Sequence, residues 1–275
     1  MHLKKAASIL VLLFILFNGQ CVLAQSDIDY KIEMLNWDEV NQILPKYSKF
    51  IVLDVETGKQ FHVQRRAGSH HADVQPLTPK DTKIMKKIYG GKWSWKRRAI
   101  IVIHKNQWIG ASMHGMPHGA GALKNNFPGH FCIHFYGSTT HRTNTMDLSH
   151  MLMVLKASGK LNEYLSKASP YDVIDAYIAG IKQHDTRITS QISLQKNKWR
   201  SVFRLVENIR LGRMERLPAE DLTSEISLDV PVEVDWYIKN RGRQTYSDTI
   251  HLVRFSPSDA WKVDSEHFLN KNNLP

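Results

Sequence analysis

The 275-residue chain is poor in cysteine. It has two, Cys21 and Cys132, so no disulfide framework can hold the fold and no CxxC pair is available for a structural metal. Acidic residues are a minority, 26 against 37 Lys and Arg, which gives a net charge of +11 and a pI near 9.6. Glycine (15) and proline (10) are too few for a collagen-like or low-complexity chain. No internal repeat is visible, and no HExxH zinc-protease spacing occurs. With 42% apolar residues the chain can bury a sizeable core.

The longest apolar run lies near the start. Lys4 and Lys5 precede Ile9 to Phe17, and Val22-Leu23-Ala24 offers an A-x-A-like site before Gln25. The run is too short for a membrane span, which needs about 20 residues, and reads as a secretory signal peptide over residues 1–24. A lipid anchor on Cys21 is disfavoured by bulky Gln20. Removing Lys4 and Lys5 leaves 35 basic residues against 26 acidic ones, a charge of +9, and a single thiol, Cys132. The expected location is secreted or cell-wall associated. No basic motif reads as nucleic-acid binding, and the charge suits anionic wall polymers or a solvated basic face.

Residues 25–47 read as a leader with one short helix. Two β-rich runs, 50–55 and 61–65, flank Gly58 and predict a hairpin. A short helix is expected around 83–89, capped at Asp81-Thr82. Strands are expected at 98–104, 108–113 and 130–136, with a Gly/Pro/Asn-rich loop from Gly115 to Gly129, and His70 to Asp73 reads as loop. The period then changes. Leu148, Met151, Leu152 and Leu155 mark a helix after Asp147, and Ser169-Pro170-Tyr171-Asp172 starts another. Val202, Leu205, Val206 and Ile209 predict one more helix, with Arg200, Arg204 and Arg210 off its apolar stripe. Strands return at 230–238, 249–255 and 260–264. The expected fold class is α+β: a β-rich catalytic domain over 48–168, then helices and a small antiparallel α+β domain over 169–275.

Histidines crowd the one mature cysteine: His104, His114, His118, His130, His134, His141 and His150 fall within 47 residues. In a strand, His130, Cys132 and His134 share a face while Phe131 and Ile133 take the other. Flanking imidazoles are expected to favour the thiolate and lower the thiol toward neutrality, the usual route to a cysteine nucleophile.

His114-Gly115, a thirteen-residue gap and then Gly129-His130-Phe131-Cys132-Ile133-His134 resemble the signature of the L,D-transpeptidase (YkuD-like) family of exported cell-wall enzymes. The resemblance covers about residues 50–145, and the run from Gly129 to His141 with Ser112 to Gly119 is also similar to uncharacterised exported proteins of Gram-positive bacteria. It implies an L,D-transpeptidase-like β-rich domain in which Cys132 is acylated by peptidoglycan stem peptides. It also implies His114 as general base, His130 as supporting histidine, and an oxyanion hole from backbone N–H groups near Phe131 and Cys132. His134, Gly115, Arg142 and His118 would contact substrate. No cofactor and no metal are implied. Gly129 stands where the family has Ser or Thr, Phe131 where it has Gly, and His134 where it has Arg.

Two other chemistries stay open. The histidines, with Asp73 and Asp147, could build a catalytic zinc site in a cell-wall hydrolase, since three protein ligands suffice. A non-enzymatic wall-binding module is the third reading. Trp93 and Trp95, beside Lys92, Lys96, Arg97 and Arg98, read as partly buried anchors next to a solvated charge run, or as a sugar-stacking surface.

Overall fold

The structure is a computed structural model and describes residues 31–140, 145–216 and 222–275. The signal segment, Cys21, His141 and Arg142 therefore lie outside the described residues. Residues 32–275 make one compact unit that is mixed α and β.

The first half is built on a sheet that closes on itself. Its strands are β1 (Ile32–Glu33), β2 (Lys49–Asp54), β3 (Gln60–Ala67), β4 (Ala72–Pro76), β5 (Arg98–His104), β6 (Gln107–Met113) and β7 (Phe131–His134). They run in the order β1-β6-β5-β2-β3-β4-β7, and β7 pairs back onto β6 through Ser112↔His134 and Met113↔Ile133. All pairings are antiparallel except that of β1, which lies parallel on the first half of β6. Closure removes the free edges that would otherwise invite association. Alternation supplies the core, with Phe50, Val52, Phe61, Val63, Ile100, Val102, Phe131 and Ile133 on one face, closed by residues of helices α1 (Trp37–Ile43) and α2 (Pro79–Ile88).

The segment expected as a leader is thus built into the fold. β1 extends the sheet, and Trp37, Val40 and Leu44 are buried in its core. α2 starts earlier than expected: Thr78 is its N-cap, and Asp81, at the third helical position, completes a capping box.

α3 (Leu148–Ala157), α4 (Leu161–Lys167), α5 (Pro170–Gln183), α6 (Thr186–Ile192) and α7 (Trp199–Leu205) follow. Asp147 caps α3 and Ser169 caps α5, as the sequence predicts. α3 packs on β5 and β6, where Gly110 leaves room for Ser158. Among the described residues the other elements are a second antiparallel sheet, β8 (Val206–Met214), β9 (Ser227–Ile238), β10 (Gly242–Val253) and β11 (Lys262–Val263), and the final helix α8 (Ser265–Lys271). Its core joins Val230, Val234, Trp236, Ile250 and Leu252 to Tyr177 of α5 and Phe268 of α8.

One helix ends before its expected span. α7 stops at Leu205, and Val206 and Ile209 are buried positions of strand β8. Arg210 consequently leaves any basic helix face and pairs across the sheet with buried Asp235 at 2.6 Å. No described helix is long and apolar enough to cross a membrane.

Candidate functional site

The polar residues of β4, β6 and β7 alternate onto the face opposite the apolar core, and the site is assembled there. β4 was expected as loop. As a strand it lies between β3 and β7 and sets Asp73 directly opposite Cys132. Asp73 Oδ1 is 3.6 Å from Cys132 Sγ, 3.3 Å from His71 Nε2 and 3.8 Å from His130 Nε2. His71 and Asp73 therefore line the site, as expected of a cleft-lining segment and of Asp73 as a candidate ligand, but from the edge and body of a strand and not from a loop. The signal was present as a short alternation, His71-Ala72-Asp73-Val74-Gln75, with polar side chains on one face.

The loop from Gly115 to Gly129 is anchored by β4. Gln75 Nε2 donates to Gly129 O at 2.8 Å, and its Oε1 accepts from Ala122 N at 2.9 Å. Where the loop returns, His118 and His130 exchange both backbone hydrogen bonds at 2.9 Å. Gly129 has φ +117°, and a Cβ there would sit 2.5 Å from His118 O. This explains glycine where the resembled family has a hydroxyl residue: only glycine fits this backbone and this approach.

Four of the expected site residues converge on the sulfur. His118 Nε2 is 3.4 Å from Cys132 Sγ. A donor atom of His114 lies within 4.8 Å of both, and the same holds for the sets His71, Cys132, His134 and Asp73, His130, Cys132. The imidazole touching the thiol is thus His118, expected to contact substrate, and not His114, expected as base. His134 is buried in a stack, its ring centroid 4.4 Å from His71 and 3.8 Å from His150 of α3. His150 in turn meets Ser112 Oγ at 2.9 Å. Gly115 donates its N–H to Ser94 O, and a Cβ there would strike the Tyr89 ring at 2.4 Å, so its role is close packing. Phe131 and Cys132, expected to frame an oxyanion hole, lie within strand β7 between β4 and β6.

The hydrogen bonds fix tautomers. His71 Nδ1 faces Thr139 O at 2.8 Å, His118 Nδ1 faces Met116 O at 3.2 Å and His130 Nδ1 faces Ala120 O at 3.0 Å. A carbonyl only accepts, so all three carry their proton on Nδ1 and turn Nε2 toward Asp73 or Cys132. His114 is the exception. Its Nδ1 accepts from Met116 N–H at 3.3 Å, leaving the proton on Nε2.

Burial dominates the electrostatics. It pushes the Cys132 thiol well up, reinforced by the Asp73 carboxylate beside the sulfur. The expectation of a thiol lowered toward neutrality fails here, because burial and a neighbouring anion both oppose the thiolate. Burial likewise holds His114 and His150 well below the usual histidine range, His118 adding to the first effect and His134 to the second.

No family model, curated protein or solved structure matches this chain.

Proposed function

We propose that the chain is a metal-dependent hydrolase of cell-wall peptide amides, with Cys132, Asp73, His130 and His118 as the donor set. The observation that carries this is the common tautomer of His71, His118 and His130. Each imidazole is tied by Nδ1–H to a backbone carbonyl and offers Nε2 inward, the habit of metal-ligating histidines. Three imidazole nitrogens, a carboxylate and a thiol that donates to Asp73 Oδ1 are gathered into one donor cluster of a kind suited to a soft cation.

Three of the spacings approach those of a tetrahedral ion, while His118 is grouped around the sulfur with His114 and not with Asp73 and His130. Zinc lies about 2.3 Å from sulfur and about 2.0–2.1 Å from nitrogen or oxygen, so edges between ligand atoms are roughly 3.4–3.6 Å. Cys132 Sγ lies 3.4 Å from His118 Nε2 and 3.6 Å from Asp73 Oδ1, and the Asp73–His130 edge of 3.8 Å is slightly wider. Thiolate with imidazole favours zinc over harder cations. Such an ion supplies Lewis-acid polarisation of a carbonyl and a hydroxide nucleophile near neutral pH. His114, neutral and protonated on Nε2, is suited to donate to the oxygen where charge develops. The wall direction rests on the export segment and the basic charge read from the sequence.

The test is release of amino groups from purified peptidoglycan fragments. Hydrolysis should stop with a chelator and return with zinc; activity indifferent to chelation would contradict the proposal.

One observation favours a second reading. The 3.4 Å contact of Cys132 Sγ with His118 Nε2, with Nδ1 held by Met116 O, is a nucleophile, base and orienter in sequence. In that L,D-transpeptidase-like route the thiol proton passes to His118 as the S–C bond forms. The amide C–N bond then breaks with that proton leaving on the amine, and water or a second amine takes the acyl group. A mass increment equal to the acyl fragment on Cys132, in chelator-treated protein, would mark it.

A further inference from the structure

Beside the histidine cluster lies a cleft of about 450 Å³, walled by Trp95, Lys96, Arg97, Lys182 of α5 and Glu207 of β8. Trp95 belongs to both places. It is half exposed, and its ring lies 4.8 Å from that of His114 and 5.4 Å from that of His118. A ligand held in the cleft is therefore one tryptophan away from His114 and His118, the second of which meets the Cys132 sulfur.

The charges on the walls do not balance. Lys96 and Lys182 make no ion pair among the described residues, Asp147 acting on Lys182 from beyond pairing distance, whereas Arg97 is committed to Asp147 at 3.0 Å and to Trp95 O at 2.6 Å. Even so committed, Arg97 keeps a buried Nε without a hydrogen-bond partner. Glu207 is the one acid lining the cleft against three cations. Elsewhere the protein neutralises such groups: Lys156 meets both Asp185 and Glu56, and Arg210 and Arg243 share Asp235. Lys96 is half-buried, so its ammonium has lost water without gaining a counter-ion. An anionic ligand would supply one, and the volume accommodates a residue-sized group.

We infer that this cleft is a carboxylate subsite, in which Lys96 and Lys182 hold an acidic residue of the peptide whose amide bond lies at the Cys132 cluster. The inference rests on the proposed hydrolysis and names its substrate class: peptides bearing a free carboxylate close to the scissile bond. Phosphate polymers of the wall carry the same charge but no amide to present at the cluster, so the carboxylate is favoured. Lysines hold such a group as point charges, and the Arg97 fork, already occupied, adds field more than direct contact.

The test is equilibrium binding, which needs no turnover. The probes are a synthetic wall tripeptide, L-Ala-γ-D-Glu-L-Lys, and the same tripeptide with its carboxylates converted to carboxamides, followed by calorimetry at low salt. The acid form should bind at least tenfold more tightly than the amide. Lys96→Met and Lys182→Met should each erase most of that preference, and the double variant all of it, with metal content unchanged. Lys182 is exposed, so its variant reports on the cleft without a risk to folding. Equal binding of acid and amide forms, full preference in the double variant, or stronger competition by a glycerol-phosphate oligomer than by the acid tripeptide would each overturn the inference. If the preference behaves as expected and no peptide is ever cleaved, the subsite stands and the hydrolase reading falls. If peptides are cleaved without preference, the reverse holds.

Discussion

His118 and His130 exchange both of their backbone hydrogen bonds at 2.9 Å, which brings their rings to 4.4 Å and turns them to the same side of the chain. Twelve residues apart, they are made neighbours by a loop that β4 holds in place. This bridge gives the site its preorganisation, because each ring's other nitrogen is fixed by a carbonyl of the same loop.

Gly129→Ala should damage the site more than the fold. The added Cβ meets His118 O at 2.5 Å and the backbone sits at φ +117°, so the His118–His130 bridge must open. A cost of about 1–3 kcal/mol is expected for a non-glycine residue in such a conformation. Gly137→Ala, also at positive φ but with its nearest atom at 3.6 Å, is the control. Chemical denaturation and metal content should separate the two, with only Gly129→Ala losing metal.

Lys156→Met should destabilise the fold strongly. Lys156 of α3 is buried and meets Asp185, the N-cap of α6, at 2.5 Å and Glu56, after β2, at 2.9 Å. Removing it strands Asp185 as a buried, uncompensated charge, an effect on the order of 3–5 kcal/mol. A urea midpoint within error of wild type would contradict this.

Asp235 should tie the second sheet to pH. Hydrogen bonds from Arg210 and Arg243 pull its carboxyl down to about 2 from the usual 3.8. A depressed carboxyl contributes stability that is fully present above about pH 4 and lost as pH falls through about 2. Asp235→Asn should be less stable at neutral pH and show a flatter profile in that acid window. Denaturant midpoints between pH 5 and pH 2 provide the check.

Binding in the Lys96 cleft should weaken in base. Burial brings the Lys96 ammonium down to about 8, so it is charged below that pH and neutral above it. The other charged groups lining the cleft are Arg97, Lys182 and Glu207. Affinity for the acid tripeptide should be full below about pH 7 and fall as pH rises through 8. In Lys96→Met that step should vanish; identical profiles would contradict the assignment.

Much of the scaffold was legible because it is locally encoded. The hairpin at 50–65, the strand pair at 98–113 and the capped helices after Asp147 and Ser169 carry their own periodicity and caps. The cysteine and its histidines were legible as a crowd. What local pattern could not supply was partnership. Asp73 meets Cys132 across 59 residues because β4 pairs with β7, and five residues of alternation after a polar turn are a weak signal of a strand. His118 displaces His114 at the sulfur for a related reason: Gly119 and Gly129 let the loop fold back, and spacing alone does not disclose a return. At Leu205, apolar residues spaced three and four apart continue into a strand, so the helical period ran past the real boundary.

Elemental analysis of the purified protein, paired with thiol titration, tests the central claim most directly. The donor set of Cys132, Asp73, His118 and His130 predicts about one zinc per chain. Cys132 should resist thiol reagents until a chelator removes the metal, and metal should be lost in Cys132→Ala and Asp73→Asn variants that remain folded by circular dichroism. A protein that holds no metal after purification and zinc dialysis, and whose Cys132 titrates at once, would contradict it.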